Sequence, residues 1–299
     1  MALTYLNLQD HVLALIDRDD SDTRTKVKAY LNMAGRDVWT AYAWRERRGE
    51  GTITTVAPYS TGTVASSETT ITGTGTTFPS YTAALATFAR SYSAPPYLVA
   101  TRDSGTQLTL ADSYAETALS GSSYVVYQDL YSLASDADTL IGVRLLKEGM
   151  DGTLGQLTEG RLEDMVTIPG ESGTPSVYSM VTNTSGGLKR VRLWPVPDAV
   201  YRLKYRYLKA YTDMSADADE CVVPESRRDL LICGTLRWAY RLAGQYQKAM
   251  AEEQKFWAEV RRHWGMERDH SPVKYRISKF TGPAYWRDPF DISTIGVPV

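Results

Sequence analysis

Apolar positions in this sequence change period several times, and each change marks a change of structure. From residue 4 to about 48 the period is helical. Leu6, Val12, Leu13 and Ile16 form a short stripe. The acidic stretch Asp17, Asp19, Asp20, Ser21, Asp22 then interrupts it and supplies N-caps for a second helix. In that helix Val27, Tyr30, Leu31, Ala34, Val38 and Tyr42 recur at spacings of three and four, the mark of one buried face. Arg45, Arg47 and Arg48, followed by Gly49, suit its C-terminus, where cations meet the negative end of the helix dipole.

Residues 51–130 follow another rule. Eleven threonines lie between Thr52 and Thr77, and Glu50 and Glu68 are the only charges between Gly49 and Ala89. Threonine is β-branched and favours strands. Short runs such as Thr69–Thr72 and Gln107–Leu110, punctuated by Gly62, Gly73, Gly75 and Gly105, predict a small antiparallel barrel or sandwich. The runs Tyr97-Leu98-Val99 and Tyr124–Tyr127 speak against a low-complexity linker.

Residues 131–212 are mixed. Leu140–Leu146 reads as a strand, and Gly155–Met165 has room for a short helix. A hairpin follows, with strands at Tyr178–Val181 and Val191–Trp194 and its turn at Asn183–Gly187. After Pro195-Val196-Pro197-Asp198, Tyr201, Leu203, Tyr205 and Tyr207 alternate with Arg202, Lys204 and Arg206. That strict period of two makes one aromatic-aliphatic face and one basic face. Helical periodicity returns over 225–264: Leu230, Leu231, Gly234, Trp238 and Leu242, then beyond Gly244 a second helix with Ala249, Phe256, Trp257, Val260 and Trp264. Residues 265–299 lose all period but hold four prolines and five aromatics, Tyr275, Phe280, Tyr285, Trp286 and Phe290. So many aromatics are seldom left in water, so an extended arm is expected that docks on the chain's own body or, as the favoured alternative, on another subunit or partner.

The fold class expected is therefore α+β. A helical body is made by residues 1–50 and 213–264, with a Thr/Gly-rich β insertion at 51–130, a mixed hairpin region at 131–212 and a C-terminal arm at 265–299. Composition adjusts this picture little. Of 299 residues, 43% are hydrophobic and 23% charged, and the net charge is −2, which excludes a disordered chain and a globally basic nucleic-acid coat. No apolar run approaches a membrane span, and Met1–Asp10 lacks the pattern of a signal peptide. Two cysteines, Cys221 and Cys233, cannot staple a chain of this length, so a reducing compartment is expected. Twenty tyrosines and seven tryptophans against five phenylalanines suit subunit interfaces as well as strands.

Catalytic chemistry finds no foothold. His11, His263 and His270 stand at no metal-site spacing. Neither a G-x-S-x-G elbow nor a phosphate loop occurs. The acidic cluster Asp213, Asp217, Asp219, Glu220 fails as a calcium loop, because Ala218 and Pro224 stand where Gly and Glu are needed. A solvated turn before the helix that follows Pro224 is the expected role. Neither a cofactor nor a metal is expected, and no enzyme. Arg45, Arg47, Arg48, Arg202, Lys204 and Arg206 are candidate DNA-channel or interface charges.

Three stretches together resemble a known family. They are Val27–Trp44; Tyr59–Val64 with Thr69–Phe78; and Leu193-Trp194-Pro195-Val196-Pro197-Asp198, continuing through Tyr201–Tyr207 and Asp217–Pro224. Their order resembles the head-to-tail adaptor, or connector, proteins of tailed bacteriophages. The resemblance spans most of residues 22–264 and leaves the arm uncovered. It implies a structural virion protein at the neck, assembled in the host cytoplasm. It further implies a ring of about twelve copies that joins the portal to the tail, extends the DNA channel without reading sequence, and offers a platform to the next tail or nozzle protein. Tyr275, Phe280, Tyr285, Trp286 and Phe290 are then the expected anchors on the portal or a neighbouring subunit. No membrane is involved. Two alternatives stay open on the residues: another tail component, such as a tail-tube, baseplate or fibre-attachment protein, and a glycan-binding or glycan-cleaving virion protein. The absence of Trp from the β insertion counts against the second.

Overall fold

The computed structural model describes residues 4–17, 20–83, 85–147, 150–165, 171–182 and 189–269. Helix α1 (Tyr5–Ile16) starts at Thr4, whose hydroxyl accepts the Asn7 N–H, and buries Tyr5, Leu8, Val12 and Leu13. Helix α2 (Ser21–Ala41) is capped by Asp20, which accepts the Thr23 N–H at 2.8 Å. It buries Val27, Leu31, Ala34, Val38 and Trp39.

α2 stops at Ala41, before the arginines expected to close it. Beyond it Trp44 is fully buried and its indole N–H donates to the Val38 carbonyl at 2.6 Å. That anchor turns the chain, and Arg45–Arg47 form a single 3-10 turn leading into strand β1 (Arg48–Thr54). Arg45, Arg47 and Arg48 therefore cap no helix.

The insertion is built from β2 (Thr63–Ser67), β3 (Thr70–Thr74), β4 (Thr87–Ala89), β5 (Tyr97–Arg102), β6 (Gln107–Leu110) and β7 (Val125–Tyr127). They form one antiparallel sheet in the order β2-β3-β6-β5-β4-β7. Val64, Ile71, Phe78, Phe88, Leu108 and Val126 fill its interior. Its two ends meet where Val64 and Ser122 exchange hydrogen bonds of 2.9 and 3.0 Å. That is an isolated bridge, not a strand ladder, so the expected barrel is not closed.

The next region holds β8 (Leu130–Ser132), β9 (Ala137–Lys147), β10 (Met150–Thr153), β11 (Gly155–Leu157), α3 (Glu159–Met165), β12 (Ser172–Gly173), β13 (Val177–Thr182), β14 (Lys189–Trp194), β15 (Val196–Pro197) and β16 (Arg202–Lys209). One four-stranded sheet runs β1-β16-β9-β10, another runs β11-β13-β14-β8, and β12 pairs with β15. The pairs β11–β13 and β12–β15 are parallel, which local periodicity did not foretell. The hairpin β13–β14 forms as expected, while its turn residues 183–187 lie outside the described residues. The Trp194–Pro195 peptide is cis. The two four-stranded sheets share a core that includes Ile53, Tyr131, Val143, Tyr178, Val191, Leu203 and Tyr205.

Helices α4 (Arg228–Leu242) and α5 (Tyr246–Asp269) close the body. Leu230, Leu231, Leu236, Phe256 and Val260 join the α1–α2 stripe in one core. Gly234 lets α4 come close to α2: a Cβ there would sit 2.9 Å from the Ala34 Cβ. α5 runs to Asp269, past Trp264 where apolar periodicity ends, because Glu267 in its last turns is tied to Arg227 at 2.8 Å. Helices at both ends of the described chain thus flank three sheets and the smaller β12–β15 pair, an α+β fold.

β1 is joined to β16 through space left by missing side chains. Gly49 and Gly51 lie opposite Tyr207 and Tyr205, whose rings cover them. A Cβ on Gly51 would sit 2.3 Å from the Tyr205 Cζ. Gly51→Ala is expected to destabilise the protein by about 1–3 kcal/mol, the usual range for overpacking, in urea unfolding. An unchanged midpoint would show that the ring moves aside freely.

Candidate assembly surfaces

The β1-β16-β9-β10 sheet has one buried and one outward face. On β16, Leu203, Tyr205 and Tyr207 point into the core and Arg202, Lys204 and Arg206 point out, as the alternation requires. The register sets Glu50 opposite Arg206, Arg48 opposite Leu208 and Arg144 of β9 opposite Lys204. Residues opposite one another share a face, so Arg48, Arg144, Arg202, Lys204 and Arg206 gather on the outer surface with Glu50 among them. Glu50 accepts from Lys204 at 2.6 Å and from Arg206 at 3.0 Å. The hydrogen bond from Lys204, then that from Arg206, hold its carboxyl below the usual range. Arg144 was missed in the sequence. Its signal was present, as a polar residue at an outward position in the strand expected at Leu140–Leu146.

Arg47 does not belong to this surface. Its side chain is only 7% exposed and pairs with Asp138 at 2.7 Å, while its Nε–H donates to the Lys209 carbonyl at 3.1 Å. Asp138 also accepts from Lys189 at 2.9 Å. The Lys189 hydrogen bond first, and Arg47 with it, hold the Asp138 carboxyl below its ordinary value. Three strands, β9, β14 and β16, are thereby fastened to the turn that enters β1. Arg45 is exposed on that turn, and its backbone N–H donates to Glu267. The arginine cluster of the sequence therefore splits: Arg48 joins the basic face, Arg47 is internal, and Arg45 sits at the foot of α5.

Around that foot is an aromatic knot that sequence reading did not find. Trp264 stacks on Tyr42 with centroids 4.7 Å apart, and both meet Trp44 edge-on. The Arg227 guanidinium lies 4.2 Å above the Trp44 ring and pairs with Glu46 and Glu267, each at 2.8 Å. The acidic loop before α4 is likewise structural. Asp217 pairs with Lys28 at 2.8 Å, Asp213 with Arg36 at 2.9 Å, and Asp219 accepts the Ser215 and Ala216 N–H groups. It buckles the loop onto α2. The expected anchors Tyr275, Phe280, Tyr285, Trp286 and Phe290 lie outside the described residues.

Nothing in the described residues assembles a reactive centre. No group of three or more His, Cys, Asp or Glu among them is placed to hold a metal. Burial raises the thiols of Cys221 and Cys233, away from the reactive thiolate. Burial, then Arg262 and Arg227, push His263 toward its neutral form. An open groove of about 320 Å³ lies along Leu145, Gly152, Leu154, Thr174, Pro175 and Ser176, with no titratable side chain in its lining. No helix among the described residues is long and apolar enough to cross a membrane.

The comparison that decides the family is a match to the model of the SU10 adaptor protein over residues 3–276. The chain belongs to the SU10 adaptor family. This adaptor is a phage head-to-tail protein of the virion neck, structural and not catalytic, that forms a ring linking portal to tail. No curated protein matches it. The resemblance read from Val27–Trp44, the threonine-rich hairpin and the Trp-Pro-x-Pro-Asp segment thus named the right family.

The Asp138 junction gives the adaptor a pH signature. Its carboxyl is depressed in the folded state, so its stabilisation is present above about pH 4, the ordinary aspartate value, and is lost as pH falls through the lower folded value. Asp138→Asn is expected to be less stable than wild type at pH 7, with the gap closing below about pH 4. A gap that persists unchanged in acid would contradict this role.

Proposed function

We propose that about twelve copies of this adaptor close a ring beneath the portal, with the outer face of the β1-β16-β9-β10 sheet turned toward the passing DNA. The observation that carries this reading is the collection of Arg48, Arg144, Arg202, Lys204 and Arg206 on one exposed sheet face of a chain whose net charge is −2. Such segregation concentrates phosphate attraction on one face. Glu50, placed between Lys204 and Arg206, tempers it, which suits a channel through which double-stranded DNA slides without being held. No base is read, because this sheet face offers phosphates charge and places no helix or ribbon in a groove.

The six-stranded β insertion, poor in charge, serves as the platform for the next tail or nozzle protein. The segment beyond Asp269 reaches the portal or a neighbouring subunit through Tyr275, Phe280, Tyr285, Trp286 and Phe290, by the logic that buried aromatics dominate interface energy. Assembly takes place in the host cytoplasm and no membrane takes part.

The triple variant Arg202→Gln, Lys204→Gln, Arg206→Gln tests the channel face. Binding to linear duplex DNA is expected to weaken, and the slope of log affinity against log salt to fall by about 2–3, with folding unchanged. An unaltered slope would remove these residues from the DNA path. Deleting residues 271–299 is expected to leave a folded protein that no longer attaches to its portal in a pull-down. Normal attachment would refute the anchoring role.

A further inference from the structure

We propose that the segment Val273–Ile277 of one copy adds a strand to the free edge of β1 in the next copy of the ring. The inference rests on the ring reading and names a contact that closes it.

β1 is an edge strand: in the order β1-β16-β9-β10 no described strand pairs with its other side. The phase of its ladder is fixed at its end, where the Thr55 N–H donates to the Tyr201 carbonyl at 2.9 Å. Antiparallel pairs alternate, so Ile53, Gly51 and Gly49 exchange hydrogen bonds with Leu203, Tyr205 and Tyr207. The N–H and C=O groups of Arg48, Glu50, Thr52 and Thr54 therefore point to the open side. β1 contains no proline and pairs with β16 without a bulge, so two common guards of a sheet edge are missing. Such an edge accepts an extended segment, with main-chain hydrogen bonds for affinity and side-chain alternation for selection.

The chain carries a segment of that kind. Beyond Asp269 the helical period is gone, but Val273, Tyr275 and Ile277 alternate with Lys274, Arg276 and Ser278. That is the pattern of β16, where Leu203, Tyr205 and Tyr207 alternate with Lys204 and Arg206. Antiparallel pairing with Tyr275 opposite Gly51 sets Arg276 opposite Glu50 and Lys274 opposite Thr52 on the outer face. Val273 and Ile277 then lie opposite Ile53 and Gly49 on the inner face. A cation meets the one carboxylate of β1, and Tyr275 and Ile277 come beside the rings of Tyr205 and Tyr207 that lie over the two glycines. A slip of one residue would turn Lys274 and Arg276 into the core, so the alternation selects the register.

The segment comes from the next copy. α5 ends beside the turn that enters β1, where Glu267 accepts the Arg45 backbone N–H. From Asp269 to Val273 the chain spans at most about 14 Å. The Thr54 end of β1 lies about 20 Å along the strand from Arg48. A copy's own segment therefore meets β1 at its Arg48 end and would run parallel to it, in a sheet whose pairings are all antiparallel. A neighbour's segment enters from the far end without that limit. An edge on one copy and a strand on the next are different surfaces, so the contact is head-to-tail, and repeating it with a closing rotation gives a ring.

Two variants of the full chain, Thr52→Cys and Lys274→Cys, test the pairing. Thr52 is exposed, so its substitution is expected to preserve folding, and a wild-type control accounts for Cys221 and Cys233. Native mass spectrometry first establishes that rings form, in solution or on particles. A short bismaleimide is then expected to give cross-linked dimers from the mixed variants and not from either alone, and a ladder of multimers from the double variant. In wild-type rings the Glu50 and Thr52 amides are expected to exchange with deuterium at least tenfold more slowly than in the separated chain. A double variant bridged only within single chains would show that each copy keeps its own segment and would overturn the proposal. Rings of normal mass with no cross-links, or with fast exchange at Glu50 and Thr52, would overturn it while leaving the ring reading intact. A wild-type chain that forms no ring alone or on particles would overturn both.

Discussion

Arg227 is the constraint on which the arrangement depends. A guanidinium taken out of water is costly unless its charge and its donors are met. Here Glu46 and Glu267 meet them, and the Trp44 face lies beneath. Glu46 belongs to the turn that enters β1, Arg227 to the entry of α4, and Glu267 to the last turns of α5. One side chain therefore ties three places far apart in sequence. Trp44, buried between this cation and the Tyr42–Trp264 stack, converts the tie into packing.

A second junction lies deeper. Arg47, two residues beyond Arg45 on the turn, reaches Asp138 and the end of β16, and Lys189 of β14 completes the cluster. The adaptor thus spends its buried cations on holding sheets to helices. One group of outward cations lies on the β16 face. The wall of the proposed channel needs diffuse positive charge that DNA can leave, and Glu50 dilutes the charge there.

Much of this was legible in the sequence because it is local. The three-and-four spacing of Val27–Val38 and the strict alternation of Tyr201–Tyr207 state their own structure, and so does the break at Gly244, which takes φ 73° between α4 and α5. What escaped is long-range. Arg45, Arg47 and Arg48 look alike in sequence, and only the approach of β9 and β16 buries one of them. β1 begins where a helix end was expected because Trp44 finds its core partners more than 180 residues downstream in Arg227 and farther on in Trp264. The outward cations of β16 were read correctly from period two, but Arg144 joins them through a register that no single strand encodes. The open seam at Val64 and Ser122 is likewise a matter of pairing between distant segments. Family membership was readable as well, from the order of three modest motifs along the chain.

The most direct test of the account is a cryo-electron microscopy reconstruction of the virion neck at a resolution that traces helices and sheets. The account requires a closed ring in which the face bearing Arg202, Lys204 and Arg206 looks toward the central axis. A ring with that face buried against the tail or turned to solvent, and an acidic or apolar surface lining the channel, would contradict it.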